Sequence, residues 1–224
     1  MIPSSGVIYS YRKIQNTRRF GKGLIFAAVF VLLYLFTPIG LIELRYQLQQ
    51  HEQPAQADIL TAPPDDTAKA VRDEAAAHGL SGYFSIFIPK IDAKANIIPN
   101  VNAANENEFD AALAKGVAHA AGTYFPGQGK NMFLFAHSTD SPFNFTRYNA
   151  VFYLLTKLEQ GDRIVLYFLD KKYIYEIQTK VIAQPADTSW LYKNFGTETL
   201  ILQTCDPPGT TIRRLLVSAT RVTQ

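Results

Sequence analysis

An uncharged apolar stretch of twenty residues constrains this chain most: GLIFAAVFVLLYLFTPIGLI at 23–42. An α-helix needs about that many apolar residues to cross the hydrocarbon core of a bilayer. A cleaved signal peptide usually has a shorter apolar region followed by small residues, whereas Glu43, Leu44 and Arg45 follow here. The pattern therefore favours an uncleaved transmembrane anchor over a signal peptide.

The charges around that stretch predict its orientation. Five of the 22 Lys and Arg residues lie in 1–22, which has no acidic residue, so the rest of the chain holds 17 basic and 19 acidic residues. The positive-inside rule then places the tail in the cytoplasm and the rest outside. A mildly acidic outer part also argues against a nucleic-acid partner. We expect a cytoplasmic tail at 1–22, a membrane anchor at 23–42, a stalk at 43–80 and a folded domain at 81–224.

The folded domain is predicted to be mainly β, a barrel or a sandwich, because short apolar and β-branched runs recur from residue 81 onward. The runs that predict strands are YFSIFIPKI, NIIPNV, NMFLFAH, DRIVLYFL, YIYEIQTKVI, TLILQTC and RLLVSATRV. Short helices are expected in ENEFDAALAKGV, up to Val117, and in AVFYLLTKL, with His119 in a loop and a hairpin turn at 170–172. In the stalk, TAKAVRDEAAAHGL has a helix-forming composition, either as a helix packed on the domain or as part of a plain tether.

Cys205 is the only cysteine of the chain and ends a predicted strand. It cannot form an internal disulfide, so it is a buried small hydrophobe, an intermolecular link or a reactive thiol. Arg213 and Arg214 begin the next predicted strand, and side chains alternate along a strand, so only one of them can face Cys205. If the two strands are neighbours, the loop brings Arg214 back towards Cys205. A nearby cation favours the thiolate, and a guanidinium can bind a developing oxyanion.

A cysteine nucleophile in acyl transfer also needs a proton carrier for the leaving amine, a role that suits histidine near neutral pH. His137 ends a strongly apolar strand, which is a suitable place for it. The sequence contains no zinc-type ligand spacing, no phosphate-binding GxxxxGK[ST] loop and no G-x-S-x-G elbow, so we predict no metal or cofactor. These residues alone also allow a non-catalytic exported binding domain with an inert, buried cysteine.

Several stretches resemble the sortase family. ILQTC at 201–205 resembles its T-L-x-T-C signature, RLLVSA from Arg214 resembles its arginine followed by an apolar strand, and FLFAH resembles its strand ending in histidine. Further stretches match in the same order, so the likeness covers about 84–222. Ile201 replaces the usual threonine, and Ala136 stands where many members have glycine.

The resemblance implies an eight-stranded β-barrel with short helices and a membrane-anchored cysteine transpeptidase. By position, Cys205 would attack a backbone carbonyl within an LPXTG-like sorting motif, and His137 would act as general acid and base. Arg214 would bind substrate and support the oxyanion, and Thr204 would help to position substrate. The implied partners are exported proteins bearing the motif and an amine acceptor, either a cell-wall precursor or a protein subunit. A cysteine hydrolase on the same fold is the alternative, and the subclass and any calcium requirement stay open. The lack of a second hydrophobic span favours anchoring of surface proteins over pilus assembly.

Overall fold

The computed structural model describes residues 22, 25–31, 41, 43–48, 68–138 and 150–222. The chain separates into two compact units, 1–43 and 44–224. In the first unit, residues 25–31 are helical. No helix within the described residues is long and apolar enough to span a bilayer. Most of 23–42 falls outside those residues, so the anchor stays a prediction.

Eight strands of the second unit close into a barrel in the order β1-β2-β3-β4-β7-β8-β6-β5. The strands are β1 (Phe84–Ile88), β2 (Ala93–Val101), β3 (Val117–Ala120), β4 (Asn131–Phe135), β5 (Arg163–Phe168), β6 (Lys171–Ala183), β7 (Thr199–Asp206) and β8 (Arg213–Arg221). Only the β2–β3 and β4–β7 pairs are parallel. The barrel confirms the expected mainly β fold, and closure by pairing of β1 with β5 excludes an open sandwich.

Among the residues described from 68 onward, short α-helices accompany the barrel: α1 (Ala68–Ala77), α2 (Glu106–Leu113) and α3 (Ser189–Tyr192). Helices α2 and α3 cover one face of β4 and β7, where Ala112, Leu113, Phe133, Phe135 and Ile201 share a buried apolar cluster. Strand β7 is therefore buried on both faces over most of its length, which explains its continuous apolar sequence.

Helix α1 shows that this part of the stalk is packed on the barrel. It buries Val71 and Ala75 against Val165 and Tyr167 of β5. Its Glu74 accepts a hydrogen bond of 2.8 Å from the Tyr167 hydroxyl. Residues 68–77 are thus part of the folded domain and not a plain tether.

The helix predicted to reach Val117 ends earlier than expected. Helix α2 stops at Leu113, and Val117 is the first residue of β3. Gly116 marks the change, because a Cβ at this position would clash with the carbonyl oxygen of Asn96 in β2. A glycine here lets the chain approach β2 closely and begin a strand. This strand, which also carries His119, was missed by the residue pattern.

A further local prediction, the position of a hairpin turn, was wrong. The hairpin between β5 and β6 turns at Leu169 and Asp170, both with positive φ, whereas Lys171 and Lys172 already belong to β6. Positive φ at two successive residues is typical of the tight turns that join antiparallel strands. The short helix expected in AVFYLLTKL is confirmed, and it is a 3₁₀ helix, Tyr153–Lys157.

Candidate active site

Cys205 lies in β7, and the two strands beside β7 each bring one of the expected side chains towards it. Arg214 of β8 is the direct cross-strand partner of Cys205. On the other side, β4 pairs with β7 in parallel, with Phe135 opposite Gln203. The N–H of Ala136 donates to the carbonyl oxygen of Gln203 at 3.2 Å, so the pairing continues past the end of β4. His137 follows directly.

Cys205, His137, Arg214 and Thr204 all line one groove of about 370 Å³. The strands supply its floor, and α2 and the connection after β6 supply its two walls. The apolar side chains that line it include Phe109, Leu113, Phe133, Phe135, Trp190 and Leu191, and the further polar ones are Glu106, Asp187, Thr188 and Gln203. Apolar side chains combined with a few polar groups are typical of ligand sites.

The two neighbouring arginines have different surroundings. Arg213 lies opposite Asp206 and forms a 2.8 Å ion pair with it, outside the groove lining. Arg214 lines the groove, and its Nη1 donates to the carbonyl oxygens of Thr211 and Arg213, both at 3.2 Å. These bonds restrain the guanidinium. Because side chains alternate along β8, Arg214 and not Arg213 lies on the same face as Cys205.

Thr204 links the strand of the cysteine to the strand of the histidine. Its hydroxyl donates to the carbonyl oxygen of Ala136 at 3.0 Å, and the side chain is buried. The expected role in positioning substrate stays a prediction. The contact itself holds the backbone next to His137.

Phe109 of α2 contacts the ring of His137, a relationship that sequence reasoning missed. The two ring centroids are 6.3 Å apart and the planes are nearly perpendicular, at 86°. Phe109 in turn stacks on Phe135 of β4 with centroids 5.3 Å apart. Edge-to-face and stacked aromatic pairs favour fixed ring orientations, so Phe109 restricts how His137 can turn. The only sequence signal for this contact is that Phe109 and Leu113 stand four residues apart, the spacing of one helix face.

Comparison with known proteins decides the family. The model of the Sortase domain family matches residues 86–222. The chain belongs to the sortase family. Sortase D of Bacillus subtilis (strain 168) is 30% identical over 139 residues, which are 61% of this chain and 62% of that protein. The chain thus spans less than two thirds of the length of this relative.

Solved sortase structures share the fold. A lid mutant of Sortase A from Corynebacterium diphtheriae is 27% identical with a TM-score of 0.52, covering 63% of this chain and 70% of that one. Sortase C of Streptococcus pneumoniae is 26% identical with a TM-score of 0.52, covering 62% of this chain and 67% of that one.

The other described histidines of this sortase lie away from the groove. His119 is fully buried in β3, where Nδ1 accepts from the Asn100 N–H at 3.2 Å and Nε2 donates to the Tyr124 carbonyl at 3.1 Å. Burial lowers the pKa of His119, which favours the neutral ring. His78 packs against Phe87 with centroids 4.2 Å apart, and partial burial lowers its pKa as well.

Helix α1 and the rest of 68–80 contribute no residue to the groove lining. The described part of the stalk therefore leaves the groove of this sortase uncovered. No group of three or more His, Cys, Asp or Glu side chains within the described ranges could hold a metal ion.

Proposed function

We propose that this chain is a sortase-type cysteine transpeptidase, which cleaves a sorting motif in exported proteins and transfers the acyl group to an amine. The observation that carries the proposal is the arrangement of Cys205 between Arg214 and the end of β4, with His137 in the same groove. Membership of the sortase family supports the same reaction class.

In the first step, the Cys205 thiolate attacks a backbone carbonyl carbon within the motif. The carbonyl oxygen becomes an anion, and the Arg214 guanidinium stabilises it with charged N–H donors. Protonated His137 donates a proton to the leaving amine, so the C–N bond breaks and a thioester with Cys205 remains. The part of the substrate on the C-terminal side of the cut leaves as a free amine.

In the second step, the acceptor amine attacks the thioester carbonyl. Neutral His137 accepts a proton from that amine, the C–S bond breaks, and the Cys205 thiolate is regenerated with a new amide as product. The apolar lining of the groove, which includes Phe109, Trp190 and Leu191, suits an extended peptide with apolar side chains. If water replaces the amine, the same steps describe the hydrolase alternative.

The non-catalytic alternative is less well supported. It expects Cys205 to be inert, with no histidine or arginine beside it, whereas His137 and Arg214 line the same groove as Cys205. The substrates in this proposal are exported proteins with an LPXTG-like motif. The acceptor is an amine of a cell-wall precursor or of a protein subunit. The Streptococcus pneumoniae relative is described in terms of pilin substrate specificity, which is a property of that protein.

The location belongs to the same proposal and is supported by the sequence alone. The basic residues in 1–22 and the apolar stretch at 23–42 place the catalytic domain outside a membrane that the chain crosses once. A C-terminal epitope tag that added protease removes from intact bacterial cells supports this orientation. Protection of the tag until the cells are lysed contradicts it.

The experiment compares the full chain in detergent with Cys205→Ala. Each protein is incubated with a library of LPXTG-like peptides and an amine, and the masses of intact protein and peptides are read. We expect a peptide adduct on the wild type only, together with an amide-linked product. Cleaved peptide without amide product, at saturating amine, favours the hydrolase. Absence of any adduct, with Cys205 inert to alkylation under native conditions, contradicts both enzymatic interpretations.

A further inference from the structure

Asn131 joins the barrel to one wall of the groove. It is the first residue of β4, six positions before His137, and is 8% exposed. Its side-chain Nδ2 donates to the carbonyl oxygens of Trp190 and Leu191, at 3.0 and 3.1 Å. These carbonyls lie in the four-residue helix α3, where the last turn has no partners of its own. One buried amide therefore satisfies two carbonyls of another element.

The segment 185–195, here called the Trp190 wall, forms the side of the groove opposite α2. Trp190 and Leu191 line the groove. Within the described residues, the other hydrogen bonds of the wall are local: for example, the Asp187 N–H donates to the Gln184 carbonyl at 3.0 Å, and the N–H and hydroxyl of Ser189 donate to Asp187. Trp190, Leu191 and Phe195 also pack against the apolar cluster of the barrel, but apolar packing is non-directional. Neither the local bonds nor this packing can hold the wall to the barrel with directional contacts. The two bonds from Asn131 can.

The chemistry of Asn131 supports this interpretation. Its Oδ1 is buried and has no hydrogen-bond partner among the described residues. A buried acceptor without a partner is unfavourable. An apolar residue would therefore be more favourable at this position if the amide made no other stabilising contact. The stabilising contact is made by the two N–H groups of the amide, which both donate to carbonyls of the wall. Because Asn131 and His137 belong to the same strand and its extension, the amide also sets the wall relative to the catalytic histidine.

We propose that Asn131 is a positioning residue that sets the distance between the Trp190 wall and the strand leading to His137, and so the width of the groove that receives the peptide. Its effect on substrate rests on the proposed transpeptidase function. Asn131 does not line the groove itself, so it acts through Trp190 and Leu191. Loss of its two bonds lets the wall shift while Cys205, Arg214 and Thr204 keep their own contacts.

The experiment uses the full chain with Asn131→Leu, which removes the donors, and Asn131→Asp, which keeps the size but turns an oxygen towards the two carbonyls. Ser85→Ala is the matched control, because the buried Ser85 hydroxyl donates to the Ser81 carbonyl at 2.6 Å on β1, away from the wall. Trp190 is the only tryptophan of the chain, so its fluorescence reports the wall directly.

We expect both Asn131 variants to raise KM for the peptide about tenfold, since small displacements in a binding groove are costly. The rate of Cys205 alkylation should stay as in wild type, and quenching of Trp190 by acrylamide should increase. Ser85→Ala should change neither KM nor quenching. The proposal is overturned if KM and acrylamide quenching in Asn131→Asp are the same as in wild type. If Asn131→Leu does not fold, the measurements on Asn131→Asp alone decide between these outcomes. Parallel changes of KM, kcat, alkylation and Tm, matched by Ser85→Ala, also overturn it.

The two proposals fail in different ways. If wild type transfers no peptide but the Asn131 variants expose Trp190 to acrylamide, the transpeptidase function is contradicted and the positioning contact is supported. If wild type is active and the Asn131 variants behave like Ser85→Ala, the positioning role is contradicted and the function stands.

Discussion

Cys205 and Arg214 lie directly opposite each other on the antiparallel strands β7 and β8. In such a pair the two side chains point to the same face of the sheet, a few ångströms apart at Cβ. The next pair along, Asp206 and Arg213, forms an ion pair of 2.8 Å. One step along the strand thus separates an arginine that lines the groove from one that only neutralises a carboxylate.

This separation gives the first prediction. Arg214→Ala should lower kcat/KM for peptide acylation by about 10²–10³-fold, because the charged donor that stabilises the oxyanion is lost. Arg214→Lys should recover only part of this, since an ammonium lacks the planar set of donors. Arg213→Ala is the control and should stay within a few-fold of wild type. Equal losses for the two alanine variants, measured by steady-state kinetics, contradict the assignment.

Thr204 gives the second prediction. Thr204→Val removes the hydroxyl that donates to the Ala136 carbonyl while keeping the shape of the side chain. We expect the free energy of unfolding to fall by about 1–2 kcal/mol, because a buried acceptor loses its partner. We also expect a lower kcat, since the backbone next to His137 is less well held. Thr204→Ser keeps the hydroxyl and should retain most of the stability and most of kcat. Denaturant unfolding and acylation kinetics on the three proteins test this.

Glu198 gives the third prediction, at the other end of β7. Its carboxylate accepts from the N–H groups of Gly127 and Gly129, both at 3.0 Å, from the Tyr175 hydroxyl at 2.7 Å and from Arg221 at 3.3 Å. Burial alone raises the pKa of Glu198, but these donors and the Arg221 charge outweigh it and lower the pKa below its ordinary value. Burial, followed by the contact with this carboxylate, raises the pKa of Tyr175.

Glu198→Gln should therefore lower the free energy of unfolding at pH 7 by about 2–4 kcal/mol, because an amide nitrogen must face donors. A carboxylate with a lowered pKa adds stability that is present above its unfolded pKa and is lost as the pH falls through the folded pKa. The difference between variant and wild type should therefore shrink in acid. Glu176→Gln, at a half-buried strand position, is the control and should stay within about 0.5 kcal/mol. Guanidinium-induced unfolding of wild type and of the two variants, at pH 7 and below pH 4, measures these differences in the free energy of unfolding.

His119 gives the fourth prediction. Burial lowers the pKa of His119 in the folded protein from its ordinary value of 6.5. At a pH near or below 6.5, the unfolded chain therefore binds a proton at His119 more readily than the folded protein does. The free energy of unfolding should fall as the pH drops from 7.5 to 5.5, by at most about 1.4 kcal/mol per pH unit for this one group. His119→Asn cannot titrate and should flatten that slope, even if it is less stable overall. A slope unchanged in His119→Asn contradicts the prediction.

The sequence predicted most strands and the positions of Cys205 and Arg214, because strand periodicity is local. Alternation along the RLLVSATRV strand was enough to separate Arg214 from Arg213. Short elements whose identity depends on distant neighbours were missed. Strand β3 is only four residues long, and its backbone is a strand because it lies between β2 and β4.

The sequence by itself thus determined the mainly β class, the order of the seven strands that it predicted and the residue types available for acyl transfer. Only the tertiary structure decided that β4 runs parallel to β7 and that Phe109 meets His137. It also decided that Asn131 bonds to α3 across the fold. The physical reason is that hydrophobic periodicity is written into neighbouring residues, whereas strand register and side-chain contacts depend on how segments tens of residues apart pack together.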